Sequence, residues 1–347
     1  MGELACPVPL PAGGRILLAH GGGGRMTREL VERLFVPAFR NDALAVLHDA
    51  AVLEPPGSAL AFTTDSFVVH PMFFPGGDVG TLAVNGTVND LAMSGARPLW
   101  LGLGFILEEG LAVDDLARVV ASIRSAAHAA GVVVVAGDTK VVERGKGDGV
   151  YITSSGVGAV VAKRPVAPDR VRPGDAVLVS GPVGQHGVAV MAVRDGLQFS
   201  SPIPSDCASV APPVMALLEA GLDVHCLRDP TRGGVATVLN EIATQAGCEI
   251  VVHESAVPVG EDVAGACEVL GLDPLYVACE GRFLAFVAPG EAEAALALLR
   301  ARPDTAAAAR VGTVAQAGTP GLVTLKTRAG GERVLDLLSG EQLPRIC

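Results

Sequence analysis

Between residues 45 and 162, short apolar runs alternate with two long stretches of helical periodicity, and this alternation limits the fold more than any other feature. Strand signals stand at Ala59–Thr64, Trp100–Ile106, Val132–Ala136 and Val150–Val161, and helical ones at about Val79–Met93 and Val113–Ala130. In the second helix Val113, Leu116, Val119, Val120 and Ile123 recur at helical spacing, and Gly131 follows as a C-cap. Strands mixed with helices long enough to cross back over a sheet predict an α/β or α+β domain.

The rest of the chain falls into place around this unit. Residues 1–44 form an arm with a Pro- and Gly-rich start, a strand signal at Ile16–Ala19, the run His20-Gly21-Gly22-Gly23-Gly24 and an amphipathic helix over Met26–Phe35. The first domain covers 45–162. Lys163 to Pro173 carries three prolines and four basic residues and reads as a linker. A second domain over 174–338 has strand signals at Asp175–Ser180, Glu249–His253 and Phe283–Val287, with helices at Gly234–Ala246 and Glu291–Arg300. A tail covers 339–347. At 347 residues, half of them apolar, two ordinary domains with sizeable cores are expected.

Composition removes several classes of function. A net charge of −11 without a Lys/Arg cluster argues against a nucleic-acid partner and makes divalent cations natural company for the carboxylates. Seven cysteines without a C-x-x-C pair form neither a disulfide framework nor a zinc knuckle, which suits a reducing cytoplasm. No apolar run approaches the 18 or so residues that span a bilayer, and Leu4-Ala5-Cys6 lacks the flanks of a lipoprotein site. A soluble, cytoplasmic protein is expected.

Acidic residues recur at apparent strand ends and loop starts, as Asp49, Asp65, Asp90 after Asn89, and Asp138 in Gly137-Asp138-Thr139-Lys140. Magnesium takes hard oxygen ligands, a few carboxylates completed by phosphates and water. A lone Asp is also a common turn former, but buried carboxylates with neither partner nor metal are costly. Lys140 would place a point charge against phosphate oxygens, or simply cap a strand-to-turn transition. No Walker loop or kinase signature is present, so any ATP site is of another type. Asp229-Pro230-Thr231-Arg232-Gly233-Gly234 precedes a helix and suits an anion, though a capped helix start with a solvated Arg232 uses the same residues. Glu280 either pairs with Arg282 in a turn or faces a cleft. The glycines after His20 serve a phosphate loop or a hinge equally well. The final nine residues, Ser339 to Cys347, span about 30 Å when extended, enough to carry the Cys347 thiol into a cleft.

Taken together, Val84 to Ala96 (VNGTVNDLAMSGA), Gly137–Lys140, Arg172 to Gly181 (RPGDAVLVSG) and Asp229–Gly234 resemble the aminoimidazole-ribonucleotide synthetase (PurM-like) superfamily of ATP-using enzymes. His20–Gly24 and the terminal Pro344-Arg345-Ile346-Cys347 resemble its hydrogenase-maturation branch, and the likeness runs from about residue 15 to the end. The resemblance implies an N-terminal α/β domain whose sheet pairs with that of a second subunit into a barrel, a C-terminal α+β domain, and a mobile tail. It implies ATP and Mg2+ between the domains, with Asp49, Asp65, Asp90 and Asp138 as metal ligands. Thr64, Asn89, Asp90, Gly137, Asp138, Thr139, Lys140, Asp229 and Arg232 would contact nucleotide. It further implies that Cys347 carries an S-carboxamide, placed there by the carbamoyltransferase HypF and dehydrated to an S-cyanide. That cyanide serves the iron of nickel–iron hydrogenase through the HypC–HypD complex. Glu280, His20 and Lys140 are the expected catalytic groups, with Glu280 or His20 as base. The rivals are selenophosphate synthetase, thiamine-phosphate kinase and a non-catalytic nucleotide sensor with the tail as a docking peptide. The first would want a Cys or selenocysteine in the N-terminal glycine-rich region, where this chain has His20 and glycines; the second has no use for a terminal cysteine.

Overall fold

The computed structural model describes residues 14–17, 20, 25–41, 57, 59–197, 203–316, 318–337 and 346. The first domain is a four-stranded sheet in the order β1-β6-β4-β5, from β1 Leu60–Phe67, β4 Ala96–Glu108, β5 Val133–Val142 and β6 Val150–Val160. A small β2 Phe73–Phe74 and β3 Gly77–Asp78 pair with each other. All contacts in the larger sheet are antiparallel except β4 with β5. Helices α3 (Val79–Met93) and α4 (Val113–Ala130) have the expected bounds, those of α4 marked by its periodicity and the Gly131 C-cap. They follow α1 (Arg25–Leu30), a π turn at Val31–Phe35 and α2 (Val36–Phe39).

Three expectations change. The amphipathic helix does not stop at Phe35; it passes through a π turn to Phe39. Pro37 lacks an N–H and crowds the carbonyl one turn back, so a widened turn lets the chain continue. The strand expected at Ile16–Ala19 is, over its described residues, only an anchor. Arg15 makes one bridge to Ala112, and Ile16 N–H donates to Leu111 O at 2.8 Å. The third change concerns Asp138, which lies inside β5 opposite Gly104 and not at a strand end. Asp65 likewise sits mid-strand in β1, and Asp90 lies on α3.

Helix α3 explains how the two halves meet. Thirteen of its 15 residues are buried, which leaves no polar face. One side covers the sheet and α4; another packs against α6 (Ala211–Glu219) and β8 (Val224–Arg228) of the second half. The second domain is a seven-stranded sheet built from β7 Ala176–Val179, β8, β9 Ile250–His253, β10 Leu284–Val287, β11 Ala309–Val314, β12 Val323–Lys326 and β13 Glu332–Val334, in the order β13-β12-β9-β11-β7-β10-β8. On β10 (Leu284–Val287), Ala285 and Val287 join the core shared with the first domain. Leu284 and Phe286 face a separate core under α7 (Gly234–Ala246). The basic stretch 163–173 is pinned to this domain, because Arg164, Arg170 and Arg172 converge on Asp223 at 2.8–3.3 Å. Buried His225 bridges Asp175 and the same Asp223 at 2.7 and 3.3 Å.

The N-terminus of α3 is fastened by a reciprocal cap. Asp78 Oδ1 accepts from the Gly80 and Thr81 N–H groups and from Ser122 Oγ on α4, while Thr81 Oγ1 accepts from Asp78 N–H. Asp78→Ala should therefore cost about 1–2 kcal/mol, the usual worth of such a cap. Urea unfolding would show it as a lower midpoint at unchanged slope; an unchanged midpoint would mean that the cap is dispensable.

Candidate active site

The two domains meet around Asn89, near the C-terminal end of α3. Its Oδ1 accepts from Val210 N–H at 2.8 Å, and its Nδ2 donates to Ala208 O at 3.1 Å and Glu280 O at 3.3 Å. With 1% exposure, the side chain is fully occupied by second-domain backbone. Asn89, expected as a nucleotide contact, serves here as an interdomain tie, an engagement that its sequence neighbour Asp90 does not share.

Asp90 accepts from Thr63 Oγ1 at 2.9 Å and lines a cleft of about 750 Å3 between the domains. Its far wall is Arg228, Asp229, Thr231, Arg232, Thr237 and Glu241. Arg232 faces the cleft, which favours the anion-site alternative. The helix behind it, α7, starts at Gly233 and Gly234 with no side-chain cap. Gly234 has φ +62°, and a Cβ there would lie 2.6 Å from Leu275 O, so only glycine lets the helix start pack this closely against the Leu275–Val277 backbone. Uncapped N–H groups at a helix start attract negative charge.

Carboxylates crowd this place. Asp229 is raised to about 7 by burial first, then by the charge of Asp90. Asp90 is raised chiefly by burial, with Asp65 adding to it. Glu280, 3% exposed, is raised well above the usual range by burial and then by Asp229, Asp206 and Asp65. Glu280 does not pair with Arg282, whose guanidinium turns to Pro182 O at 3.0 Å and Asp206 Oδ2 at 3.7 Å. Its Oε1 has no hydrogen-bond partner among the described residues. Gly281 permits this arrangement: a Cβ there would fall 1.8 Å from Asp206 O. An orphaned buried oxygen in a field of like charges is the signature of a place that takes a cation or a donor.

The expected metal set is only partly assembled. Asp49 lies outside the described residues. Asp65 lies on the face of the sheet that α3, the helix carrying Asp90, covers; Asp138 and Lys140 do not. Asp138 stands in register with Gly104, Thr153 and Ser66, and Thr64 in register with Ser155, all on the outer face, with Lys140 opposite Ile106. Among the described residues no three His, Cys, Asp or Glu side chains converge on one point. Magnesium commonly takes one or two carboxylates plus phosphates, and Asp90 with either Asp65 or Asp229 suits that number. His20 is occupied locally, its Nδ1 accepting from Leu17 N–H at 2.9 Å beside the turn after β4. Gly21–Gly24 lie outside the described residues.

The five described cysteines are poor nucleophiles. Burial pushes Cys207 and Cys226 up to about 12 and Cys267 up to about 11, and raises Cys248 and Cys279 as well. Thiols so held stay protonated. Cys347 lies outside the described residues, but its neighbour Ile346 is 2% exposed within the shared core. The Ile346 carbonyl is 2.6 Å from Nε2 of buried His186. Sequence reasoning passed over His186, Asp206 and Asn89's tie, because single polar residues in apolar runs carry no spacing signal. No described helix is long and apolar enough to cross a membrane.

Comparison with known proteins agrees with this geometry. The family models for the N-terminal and C-terminal domains of AIR synthase related protein match residues 47–160 and 172–324. Carbamoyl dehydratase HypE of Rhodobacter capsulatus is 52% identical over 336 residues, 96% of this chain and 98% of that protein. A crystal structure of hydrogenase maturation protein HypE in complex with ATP has a TM-score of 0.93 at 50% identity, covering 95% of this chain and 99% of that one. A chain from the crystal structure of a HypE–HypF complex has a TM-score of 0.78 at 45% identity, covering 89% and 99%. The chain therefore belongs to the AIR synthase related family and, within it, to the HypE carbamoyl dehydratases.

Proposed function

We propose that this protein uses ATP to dehydrate an S-carboxamide on its own Cys347 to an S-cyanide, the source of cyanide ligands for hydrogenase iron. The reading is supported by relatives named for that activity and by a similar protein solved with ATP. The observation that carries it is the seating of Ile346, next to Cys347, on His186, whose other ring nitrogen meets Ser205, the neighbour of the Asp206 that accepts from Glu280 N–H. HypF, seen with a similar protein, is the proposed donor of the carbamoyl group, and the HypC–HypD complex the proposed acceptor of the cyanide. The setting is the cytoplasm.

The chemistry follows from a poor leaving group. An amide oxygen departs with difficulty, so the γ-phosphoryl of ATP is transferred to it, giving an imidate phosphate and ADP. The C–O bond then breaks with release of inorganic phosphate, while the remaining N–H proton is removed and the nitrile forms. Phosphoryl transfer demands positioning and charge stabilisation more than covalent help. Arg232 and the start of α7 would bind phosphate oxygens. Magnesium held by Asp90 with Asp65 or Asp229, and by Asp49 as the resemblance implies, would supply neutralising charge to the phosphates. Glu280 takes the proton: its raised proton affinity makes it a strong base when ionised, whereas His20 is engaged elsewhere. Tethering the amide on the tail makes the reaction intramolecular, an advantage of up to about 7–11 kcal/mol.

Asp138 and Lys140 can join this chemistry only in an assembly. We assign them to a homodimer in which the outer sheet faces close into a barrel, burying Phe62 and Ile106, which are 70% and 41% exposed. Phe62→Asp combined with Ile106→Asp should give monomers in sedimentation and lose ATP turnover; a dimer that survives would refute the pairing.

Cys347→Ala should abolish product on the tail while nucleotide affinity stays within about twofold. Intact mass after incubation with carbamoyl phosphate, HypF and ATP reads the wild-type course as gain of a carboxamide followed by loss of water. Product formation by the Ala variant would overturn the mechanism.

The carboxylate field also sets a pH slope on stability. Asp229 binds its proton more tightly folded than unfolded, so its own contribution to metal-free stability is fullest at low pH and declines as pH rises from 3.8 to about 7. Asp229→Asn should flatten that decline in urea unfolding across the range, and an unchanged slope would place the strain elsewhere.

A further inference from the structure

The dehydration reading leaves open what holds the tail in place for the reaction, and the inference here rests on that reading. His186 is the second residue of α5 (Gln185–Arg194) and has no exposed surface. Its ring is contacted edge-on by Phe74, with centroids 5.4 Å apart at 81°. Nε2 lies 2.6 Å from Ile346 O, and Nδ1 lies 2.8 Å from Ser205 Oγ. A carbonyl can only accept, so Nε2 carries the proton. Ser205 Oγ accepts from Cys207 N–H at 3.0 Å, which leaves its own hydrogen for Nδ1. The bonds thus run one way, from Cys207 N–H through Ser205 and the neutral imidazole to the tail.

We propose that His186 is the residue that seats the substrate-bearing tail, its Nε2–H holding the Ile346 carbonyl and hence the peptide unit to which Cys347 is joined. Both ring nitrogens are engaged, so His186 does not exchange protons with the substrate; it is a positioning residue. Its frame is shared with the proposed base. Gly187 N–H donates to Ala278 O at 3.1 Å, two residues before Glu280. Glu280 N–H donates to Asp206 Oδ1 at 3.1 Å, on the segment that carries Ser205. The clamp and the carboxylate are therefore in fixed register, as a tethered reaction requires. A histidine kept only for core packing would hydrogen-bond within its own domain and would have no reason to face the penultimate residue of the sequence.

The test uses the full-length protein. His186→Phe keeps a ring against Phe74 and removes the donor; His186→Gln restores an N–H. Three quantities are read: iodoacetamide labelling of Cys347 by mass spectrometry of the C-terminal peptide, single-turnover dehydration of tails already carbamoylated by HypF, and ATP binding. The Phe variant should label several-fold faster and dehydrate about tenfold more slowly, the worth of one buried hydrogen bond, with ATP binding unchanged; Gln should recover both. Unchanged labelling and rate in a folded Phe variant, or a Gln variant that behaves like Phe, would overturn the proposal. If the Phe variant does not fold, Ser205→Ala, which frees the ring to turn, should show the same changes, and its failure to do so would count equally against the clamp. If wild-type tails do not dehydrate at all, the activity reading fails, while the labelling comparison still judges the seating.

Discussion

The hydrogen bonds of one amide, Asn89, hold the two domains in the relation on which the site depends. A buried Asn with unmet partners is expensive. Here every bond it makes crosses from α3 to the backbone of residues 208–210 and 280. Because α3 is buried on nearly all sides, it cannot tilt to relieve a mismatch, and the domains close around it as one packed unit. The carboxyl of Asp90, one residue on, is thereby delivered to the cleft.

That closure has an electrostatic consequence. Asp65, Asp90, Asp206, Asp229 and Glu280 are brought near one another where water is scarce, and each raises the proton affinity of another. Such a site is poised to take positive charge or a proton, and it stores a penalty that ligand binding relieves. The same burial silences the described thiols. Reactivity is thus withheld from the five described cysteines, which suits the reaction proposed for Cys347.

Much of this was legible from residue types. Helix α4 announced itself through its period and its C-cap at Gly131, whereas the Asp78 cap of α3 was not read from the sequence. Asp229–Gly234 and Glu280 were found because glycines and charges near strand ends are rare in apolar company. The run Gly137–Lys140 misled, since glycine and aspartate favour turns, yet pairing with β4 carries the strand through them to Val142. Which face a strand residue occupies depends on register, so the separation of Asp138 from Asp65 could not be read from either sequence neighbourhood. His186 and the tie at Asn89 are products of tertiary contact between segments about 120 to 160 residues apart.

The first sheet has a further implication for handling the protein. Its edges, β1 and β5, each present a row of backbone groups, and its outer face shows Leu60, Phe62 and Ile106. Open strands beside apolar surface are templates for unwanted association. Asp138 and Lys140 stand on the β5 edge, and charges in that position discourage a foreign strand from adding on. Removing them for biochemical purposes would therefore also remove a guard, and loss of soluble material from such variants would report colloidal behaviour, quite apart from catalysis.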